Sequence, residues 1–178
     1  DTLIKVWDDT LQCLETIHLS EKIPTLLVPV ASSLAFGGAR DAKLLIAARS
    51  GELVELAMDS GRTVVLDEAH ARTKTLATEA HGLDAHPSNP DLYATSGDDG
   101  TVRVWSVSKR RCLLRCPPDL VAGAAVRCCA WAPDGSRLAV GLGGDPADRN
   151  RDGTLVLMRV DTTDALPEVL SEVRKSKA

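Results

Sequence analysis

Hydrophobic and polar positions alternate along the chain in short runs that turn-forming residues separate. The runs hold four to eight residues and end at Asp59-Ser60-Gly61, Asp98-Asp99-Gly100 and Pro133-Asp134-Gly135. Such runs, bounded by Asp, Gly and Pro, are typical of β-strands joined by tight turns. No apolar stripe with the helical period of about 3.6 residues extends over a helical length. The pattern therefore predicts an all-β protein.

The runs also recur at a nearly constant spacing. Strand-like segments end in a bulky residue at Trp7, Leu56, Trp105 and Met158, at intervals of 49, 49 and 53 residues. Recurrence at a period of some tens of residues is typical of chains built from one structural unit that stacks on its neighbours. We therefore interpret the chain as a series of repeated units.

A second strand recurs upstream, in step with the first. Its marker residues are Phe36, 20 positions before Leu56, and Ala85, 20 positions before Trp105. In the last unit Trp131 precedes Met158 by 27 positions, which leaves a net insertion of seven residues. We place this insertion at residues 143–151, where Gly and polar residues are concentrated.

Each unit is long enough for four strands. In the unit of Trp105 we predict strands at residues 81–86, 91–97, 101–106 and 111–116. A lone four-stranded sheet leaves its faces in water, whereas radial stacking of such sheets buries them. The pattern therefore predicts stacked four-stranded antiparallel sheets.

The segment Tyr93–Ser106, with the sequence YATSGDDGTVRVWS, resembles the core signature of WD40 repeats. The resemblance implies that Asp99 caps the turn between the second and third strands by accepting backbone N–H bonds. It also implies that Trp105 packs between neighbouring blades. The corresponding structural positions in the other units are Asp1, Trp7, Trp131 and Asp152.

The implied fold is all-β, a WD40-type β-propeller of about three and a half blades with four antiparallel strands each, as a fragment of a larger propeller. We assign 1–20 to the end of a blade, 27–70 to a degenerate blade, 75–116 to a blade, and 122–178 to a blade with the insertion at 143–151. Because ring closure removes open sheet edges, we expect the rest of a parent chain to supply the remaining blades.

Four segments have a finer similarity. Gly82–Pro87 is close to a "GLAxHP" first strand, Ala139–Gly144 to an "AVGLGG" strand, Glu168–Lys177 to an "xVxHExRxSK" strand and Ser50–Leu56 to a "GEIxEI" strand. Together they resemble the echinoderm microtubule-associated protein-like family. This resemblance implies binding to tubulin or microtubules and to neighbouring filament proteins. It also implies a location in the cytoplasm on the cytoskeleton, or in a ciliary or flagellar axoneme.

Composition narrows the class of partner. The formal charge of the 178 residues is −4, whereas nucleic-acid-binding domains usually have a basic footprint. No apolar run approaches the roughly 18 residues of a membrane span. We therefore expect protein partners, and neither nucleic acid nor a membrane.

Cysteine and histidine show no catalytic or metal-binding pattern, so we predict no catalytic residue, cofactor or metal. The five cysteines include no C-x-x-C, which favours buried, reduced thiols. His81 and His86 are five residues apart on one predicted strand and so face opposite sides of the sheet. We expect surface or turn-capping roles for all four histidines, which are His18, His70, His81 and His86.

Two basic clusters are the candidate contacts to a partner. Lys109, Arg110 and Arg111 follow the Trp105 strand, and Arg149 and Arg151 lie in the insertion. Exposed cations steer association with acidic proteins such as tubulin, although solvated turns also carry them. We therefore predict a non-enzymatic microtubule-associated scaffold. The alternative is a generic WD40 adaptor that assembles a non-cytoskeletal complex.

Overall fold

The computed structural model describes residues 2–66, 69–70, 78–116, 124–143 and 153–162, and the backbone of 168–176. Sheet I contains β1 (Leu3–Trp7) and β2 (Cys13–His18). Sheet II contains β3 (Ala31–Gly37), β4 (Lys43–Ala48), β5 (Leu53–Ala57) and β6 (Thr63–Leu66). Sheet III contains β7 (Ala80–Ala85), β8 (Leu92–Gly97), β9 (Val102–Ser106) and β10 (Arg111–Arg115). Sheet IV contains β11 (Val126–Trp131), β12 (Arg137–Leu142), β13 (Thr154–Asp161) and β14 (Glu168–Ser176).

Sheets II, III and IV each have four antiparallel strands in sequence order, which confirms the all-β prediction. The strands of sheet III lie within one residue of those predicted. Helical structure in the described residues is limited to the four-residue α1 (Leu19–Lys22) and a 3-10 turn at Ala39–Asp41. None of the described helices is long and apolar enough to cross a membrane.

One row of paired positions recurs in every four-stranded sheet. The bulky residue of the third strand faces a buried residue of the second, in the pairs Leu44–Leu56, Tyr93–Trp105 and Leu138–Met158. The marker residues of the first strands face the same second-strand residues, in the pairs Phe36–Leu44, Ala85–Tyr93 and Trp131–Leu138. The spacing found in the sequence therefore corresponds to a structural repeat.

The core lies between consecutive sheets. One apolar cluster joins sheets I and II, a second joins sheets II and III, and a third joins sheets III and IV. Every residue of β8 and β9 is buried, because neighbouring sheets cover both faces of sheet III. The outermost strand β10 is partly exposed. Face-to-face stacking of the sheets thus provides the burial that a lone sheet lacks.

Trp7 departs from the predicted packing between blades. Its side chain is 51% exposed, whereas that of Trp105 is 2% exposed. Trp7 lines an open groove between β1 and β3 together with Leu34 and Phe36, which are also exposed. The physical reason is that sheet I contains only β1 and β2 among the described residues, so no strand covers this side of β1.

Candidate functional site

Asp99 lies in the turn between β8 and β9 and is buried. Its Oδ1 accepts hydrogen bonds from the backbone N–H of Thr101, at 3.1 Å, and from the hydroxyl of Thr101, at 2.7 Å. The carboxylate therefore satisfies the backbone of the tight turn that leads into β9.

The same carboxylate forms an ion pair below the surface. Arg103, on β9, donates from its Nη2 to Oδ2 of Asp99 at 2.8 Å, and both side chains are buried. Arg103 also donates from Nε to the hydroxyl of Thr101 at 3.1 Å. Removal of one partner from a buried ion pair is strongly destabilising, because the charge of the other partner is then no longer neutralised within the pair.

A chain of hydrogen bonds continues from Asp99 to Trp105. His70 places Nδ1 at 2.9 Å from Oδ1 of Asp99 and Nε2 at 2.9 Å from the hydroxyl of Thr95. The indole N–H of Trp105 donates to the same hydroxyl at 2.8 Å. A carboxylate only accepts, so Nδ1 of His70 holds the proton and Nε2 accepts from Thr95. Burial lowers the pKa of His70, which favours this neutral ring.

The expectation of a surface position is wrong for His70, which is buried and bonded at both ring nitrogens and supports the β8–β9 turn through Asp99. Thr95 was not singled out from the sequence at all. The repeat did not indicate a role for His70, because the equivalent position in the preceding unit, 49 residues upstream, is Glu21 and not a histidine. A buried histidine between a turn aspartate and a strand hydroxyl is recognisable only once the strands are placed.

His86 and Trp131 join sheets III and IV. Nδ1 of His86 accepts the backbone N–H of Asn89 at 3.0 Å, so Nε2 donates to the carbonyl of Gly135 at 3.1 Å. The His86 ring lies 4.7 Å from that of Trp131, and burial lowers the pKa of His86. Gly135 has φ 70°, and a Cβ there would clash with the His86 ring. Trp131 is therefore an inter-sheet residue.

Charged side chains also connect neighbouring sheets. They lie at the end of sheet III that is opposite Trp105. Asp98 Oδ1 lies 2.9 Å from Nε2 of His81 and accepts from Nη1 of Arg127, in sheet IV, at 2.7 Å. Arg49, in the turn after β4, donates to Glu79, which precedes β7, at 2.6 Å. Within the described residues, no group of three or more His, Cys, Asp or Glu could hold a metal ion. The contacts of Arg127 and Arg49 thus connect neighbouring sheets.

The predicted cluster Lys109, Arg110 and Arg111 is exposed at the turn from β9 to β10. The Ser106 hydroxyl accepts the Lys109 N–H at 3.0 Å, and the Ser106 carbonyl accepts the Arg110 N–H at 2.9 Å. Asp91, in the preceding turn, accepts from the Ser106 hydroxyl at 2.7 Å. The backbone of this turn is therefore firmly held, and its three cationic residues are exposed.

A pocket of about 230 Å3 lies beside this turn, between the ends of sheets II and III. Glu55, only 2% exposed, pairs with Nζ of Lys43 at 2.7 Å and lies 3.7 Å from Nε of Arg110. Lys43 also donates to the carbonyl of Val107 at 3.4 Å, which links the two sheets. Arg62 completes the basic lining.

Of the predicted basic residues that the structure describes, Arg110 lines this pocket and Lys109 and Arg111 do not. Lys43 and Arg62 were missed because they lie 67 and 48 residues upstream of Arg110, and only the packing of sheets II and III brings them together. Four further predicted site residues lie outside the described residues, namely Asp1, Arg149, Arg151 and Asp152.

The five cysteines are free thiols, but their burial differs. Burial raises the pKa of Cys116 and of Cys129 to about 12, which leaves both as unreactive thiols. The expectation of burial is wrong for Cys13 and Cys128, which are exposed. Adjacent strand residues face opposite sides of a sheet, so Cys128 points outward where Cys129 points into the core.

Comparison with known protein families agrees with this architecture. Residues 73–106 and 116–157 match the WD40 model, described as WD domain, G-beta repeat. The first match contains Thr95, Asp99 and Trp105, and the second contains Trp131. The two matched segments are similar to WD40 repeats, and this similarity supports a relation to the WD40 β-propeller family.

Proposed function

We propose that this chain is a non-enzymatic scaffold segment of a microtubule-associated WD40 protein. WD40 repeats indicate a protein-interaction scaffold. The finer proposal is that the partners are tubulin or microtubules and neighbouring cytoskeletal proteins. Its support is the resemblance of four segments to the echinoderm microtubule-associated protein-like family, together with the exposed basic turn. The proposed location is the cytoplasmic cytoskeleton or an axoneme.

The observation that carries the proposal is the turn Lys109–Arg111. Three adjacent cationic residues are exposed on a backbone that Ser106 and Asp91 hold in place. Tubulin is acidic, so this turn would attract it over several ångströms and contribute affinity that salt weakens. The stacked sheets would hold the turn in one position, and binding energy would come from many weak contacts over a broad surface.

The proposal assigns no catalytic residue, because WD40 domains are generally non-catalytic scaffolds. The polar side chains most suited to chemistry are engaged in the fold. His70 and Asp99 support the β8–β9 turn, and His86 bonds the carbonyl of Gly135 in the next sheet.

The test is co-sedimentation of the intact protein with taxol-stabilised microtubules across a salt series. We expect binding that weakens as salt rises, and at least tenfold weaker binding when Lys109, Arg110 and Arg111 are all changed to Glu. The matched control is Arg115→Glu, which reverses an exposed arginine at the opposite end of β10. We expect the control to bind within twofold of the natural protein.

Absence of sedimentation at every salt concentration, with a native circular dichroism spectrum, would reject the microtubule partner. The WD40 scaffold would remain, and a complex outside the cytoskeleton would become the preferred role. Equal binding by the triple variant and the natural protein would remove the basic turn from the interface.

A further inference from the structure

The pocket between the ends of sheets II and III combines an exposed basic rim with a buried acidic floor. Its charged lining consists of Lys43, Glu55, Asp59, Arg62 and Arg110. The residues come from β4, β5, the turn after β5, and the turn between β9 and β10. The pocket therefore exists only where the two sheets meet, and it opens beside the basic turn.

We propose that this pocket binds the side-chain carboxylate of an acidic segment in a partner protein, with Arg62 and Arg110 as its direct contacts. The inference deepens the proposed scaffold role and rests on it for the nature of the partner, which is a protein. It does not depend on that protein being tubulin.

The charges of the lining favour a single negative group. Lys43, Arg62 and Arg110 carry three positive charges, and Glu55 and Asp59 carry two negative charges, which leaves a net charge of +1. One carboxylate neutralises this charge. A phosphate carries close to two negative charges, so it would meet uncompensated repulsion from the two acids of the pocket.

The side chains of Arg62 and Arg110 have N–H donors that are available for a ligand. Within the described parts of the chain, the Arg62 side chain has no hydrogen-bond or ion-pair partner, and it is exposed. Arg110 is 50% exposed and reaches Glu55 only at 3.7 Å, beyond hydrogen-bonding distance. A guanidinium presents five N–H donors in a planar fork that matches a carboxylate. Both residues can therefore donate hydrogen bonds to a new carboxylate without losing an existing hydrogen bond.

The framework of the pocket is held before a ligand arrives. Lys43 is fixed between Glu55, at 2.7 Å, and the carbonyl of Val107, at 3.4 Å. Arg110 has a left-handed backbone, with φ 53°, and its N–H bonds the carbonyl of Ser106. Groups that are already ordered lose less conformational freedom on binding, so they contribute more to affinity.

The size of the pocket suits a side chain better than a free metabolite. Its volume of about 230 Å3 is smaller than the roughly 300–1,000 Å3 of pockets that enclose small molecules. An acidic side chain that belongs to an extended segment can enter such a pocket while the rest of the segment lies across the neighbouring basic turn.

The test measures binding of a fluorescein-labelled hexaglutamate peptide to the intact protein by fluorescence anisotropy, with hexaglutamine as the uncharged control. We expect salt-sensitive binding of hexaglutamate and none of hexaglutamine. Arg62→Glu and Arg110→Glu should each weaken binding at least tenfold, and Arg62→Lys about threefold, because lysine keeps the charge but not the fork. Arg115→Glu is the charge-matched control and should bind within twofold.

Glu55→Gln gives a test of opposite sign. It removes the negative floor of the pocket and raises the net charge of the lining from +1 to +2. We expect it to bind hexaglutamate severalfold more tightly, an outcome that damage to the fold would not produce. Unchanged affinity in Arg62→Glu, or equal binding of hexaglutamine, would overturn the pocket, and tighter binding of a phosphoserine peptide would overturn the preference for carboxylate.

The same variants separate this inference from the microtubule proposal. Hexaglutamate binding that depends on Arg62, without microtubule sedimentation, would keep the pocket and reject tubulin as the partner. Microtubule sedimentation with no effect of Arg62→Glu in either assay would keep the partner and reject the pocket.

Discussion

Sheets II and III share a strand order and a pairing register, yet different forces hold their equivalent positions. In sheet III, the turn aspartate Asp99 bonds His70, which bonds Thr95, which accepts the indole N–H of Trp105. The polar atoms of this hydrogen-bonded series are buried. Each therefore depends on its neighbour for a hydrogen bond that water does not supply.

Sheet II has a serine and two apolar residues at the corresponding positions. Ser50 occupies the position of Asp99, Ile46 that of Thr95, and Leu56 that of Trp105, each 49 residues upstream. Ile46 and Leu56 belong to the cluster that packs sheets I and II together. The hydroxyl of Ser50 accepts from the backbone N–H of Val28 at 3.2 Å and donates to the carbonyl of Val28 at 3.4 Å.

The difference teaches that one backbone arrangement tolerates two kinds of interior. An apolar row loses stability in proportion to the volume removed. A buried polar row loses more stability than the single hydrogen bond contributes when one member is removed, because the remaining members are left with fewer hydrogen-bond partners. Single substitutions at matched positions of the two sheets can therefore measure how far this distinction holds.

The largest expected difference is between Asp99→Ala and Ser50→Ala. Loss of the carboxylate removes the ion pair with buried Arg103 and the 2.9 Å hydrogen bond to Nδ1 of His70. We expect Asp99→Ala to lower the free energy of unfolding by about 3–5 kcal/mol, and Ser50→Ala by about 1 kcal/mol. Urea unfolding of the intact protein measures both, and equal losses would contradict the distinction between the sheets.

A smaller difference should separate Thr95→Val from Ile46→Val. The first removes the hydroxyl that Trp105 and His70 share, and should lower the free energy of unfolding by about 1–3 kcal/mol. The second removes one methylene and should lower it by about 0.5–1.5 kcal/mol. Thr95→Ser is the control, because it keeps the hydroxyl. A loss in Thr95→Ser as large as in Thr95→Val would show that packing decides, not hydrogen bonding.

Acid should weaken sheet III before sheet II, since sheet II contains no histidine. Burial lowers the pKa of His70 below the ordinary value of 6.5, so the unfolded chain binds a proton more readily than the folded chain. The stabilising contribution is complete above pH 6.5 and is lost as the pH falls below it, by up to about 1.4 kcal/mol per pH unit.

Hydrogen exchange at pH 7.5, 6 and 5 should show earlier loss of protection in β8 and β9 than in β4 and β5. His70→Gln should flatten the dependence of unfolding free energy on pH in this window. His86, whose pKa burial also lowers, leaves a residual slope of the same sign. A pH profile unchanged by His70→Gln would show that this ring does not titrate with unfolding.

The smallest effect is local and concerns thiol reactivity. Sheet II has no cysteine, whereas Cys116 follows β10 and has a pKa raised to about 12 by burial. With iodoacetamide and mass spectrometry, we expect Cys13 and Cys128 to react first and Cys116 slowly, through local opening. Asp99→Ala should speed the reaction of Cys116 at least tenfold, while Ser50→Ala should leave it within twofold. Equal acceleration by both variants would indicate global rather than local opening.

The sequence by itself determined the repeat. The spacing of Leu56, Trp105 and Met158 located the third strand of each four-stranded sheet, because a residue that must fill the core recurs at the same place in every unit. The aspartate of the β8–β9 turn was also recognisable, since its bonds are local to the turn.

Tertiary structure alone decided which side chains from distant segments meet. His70 joins Asp99 across 29 residues, and Lys43 and Arg62 meet Arg110 only where sheets II and III pack together. It also decided exposure, as Trp7 shows: the pattern of the strand predicts a core position, but Trp7 lines an open groove between β1 and β3 and is 51% exposed. Periodicity records which residues face inward along one strand, whereas burial and charge pairing depend on what the next sheet supplies.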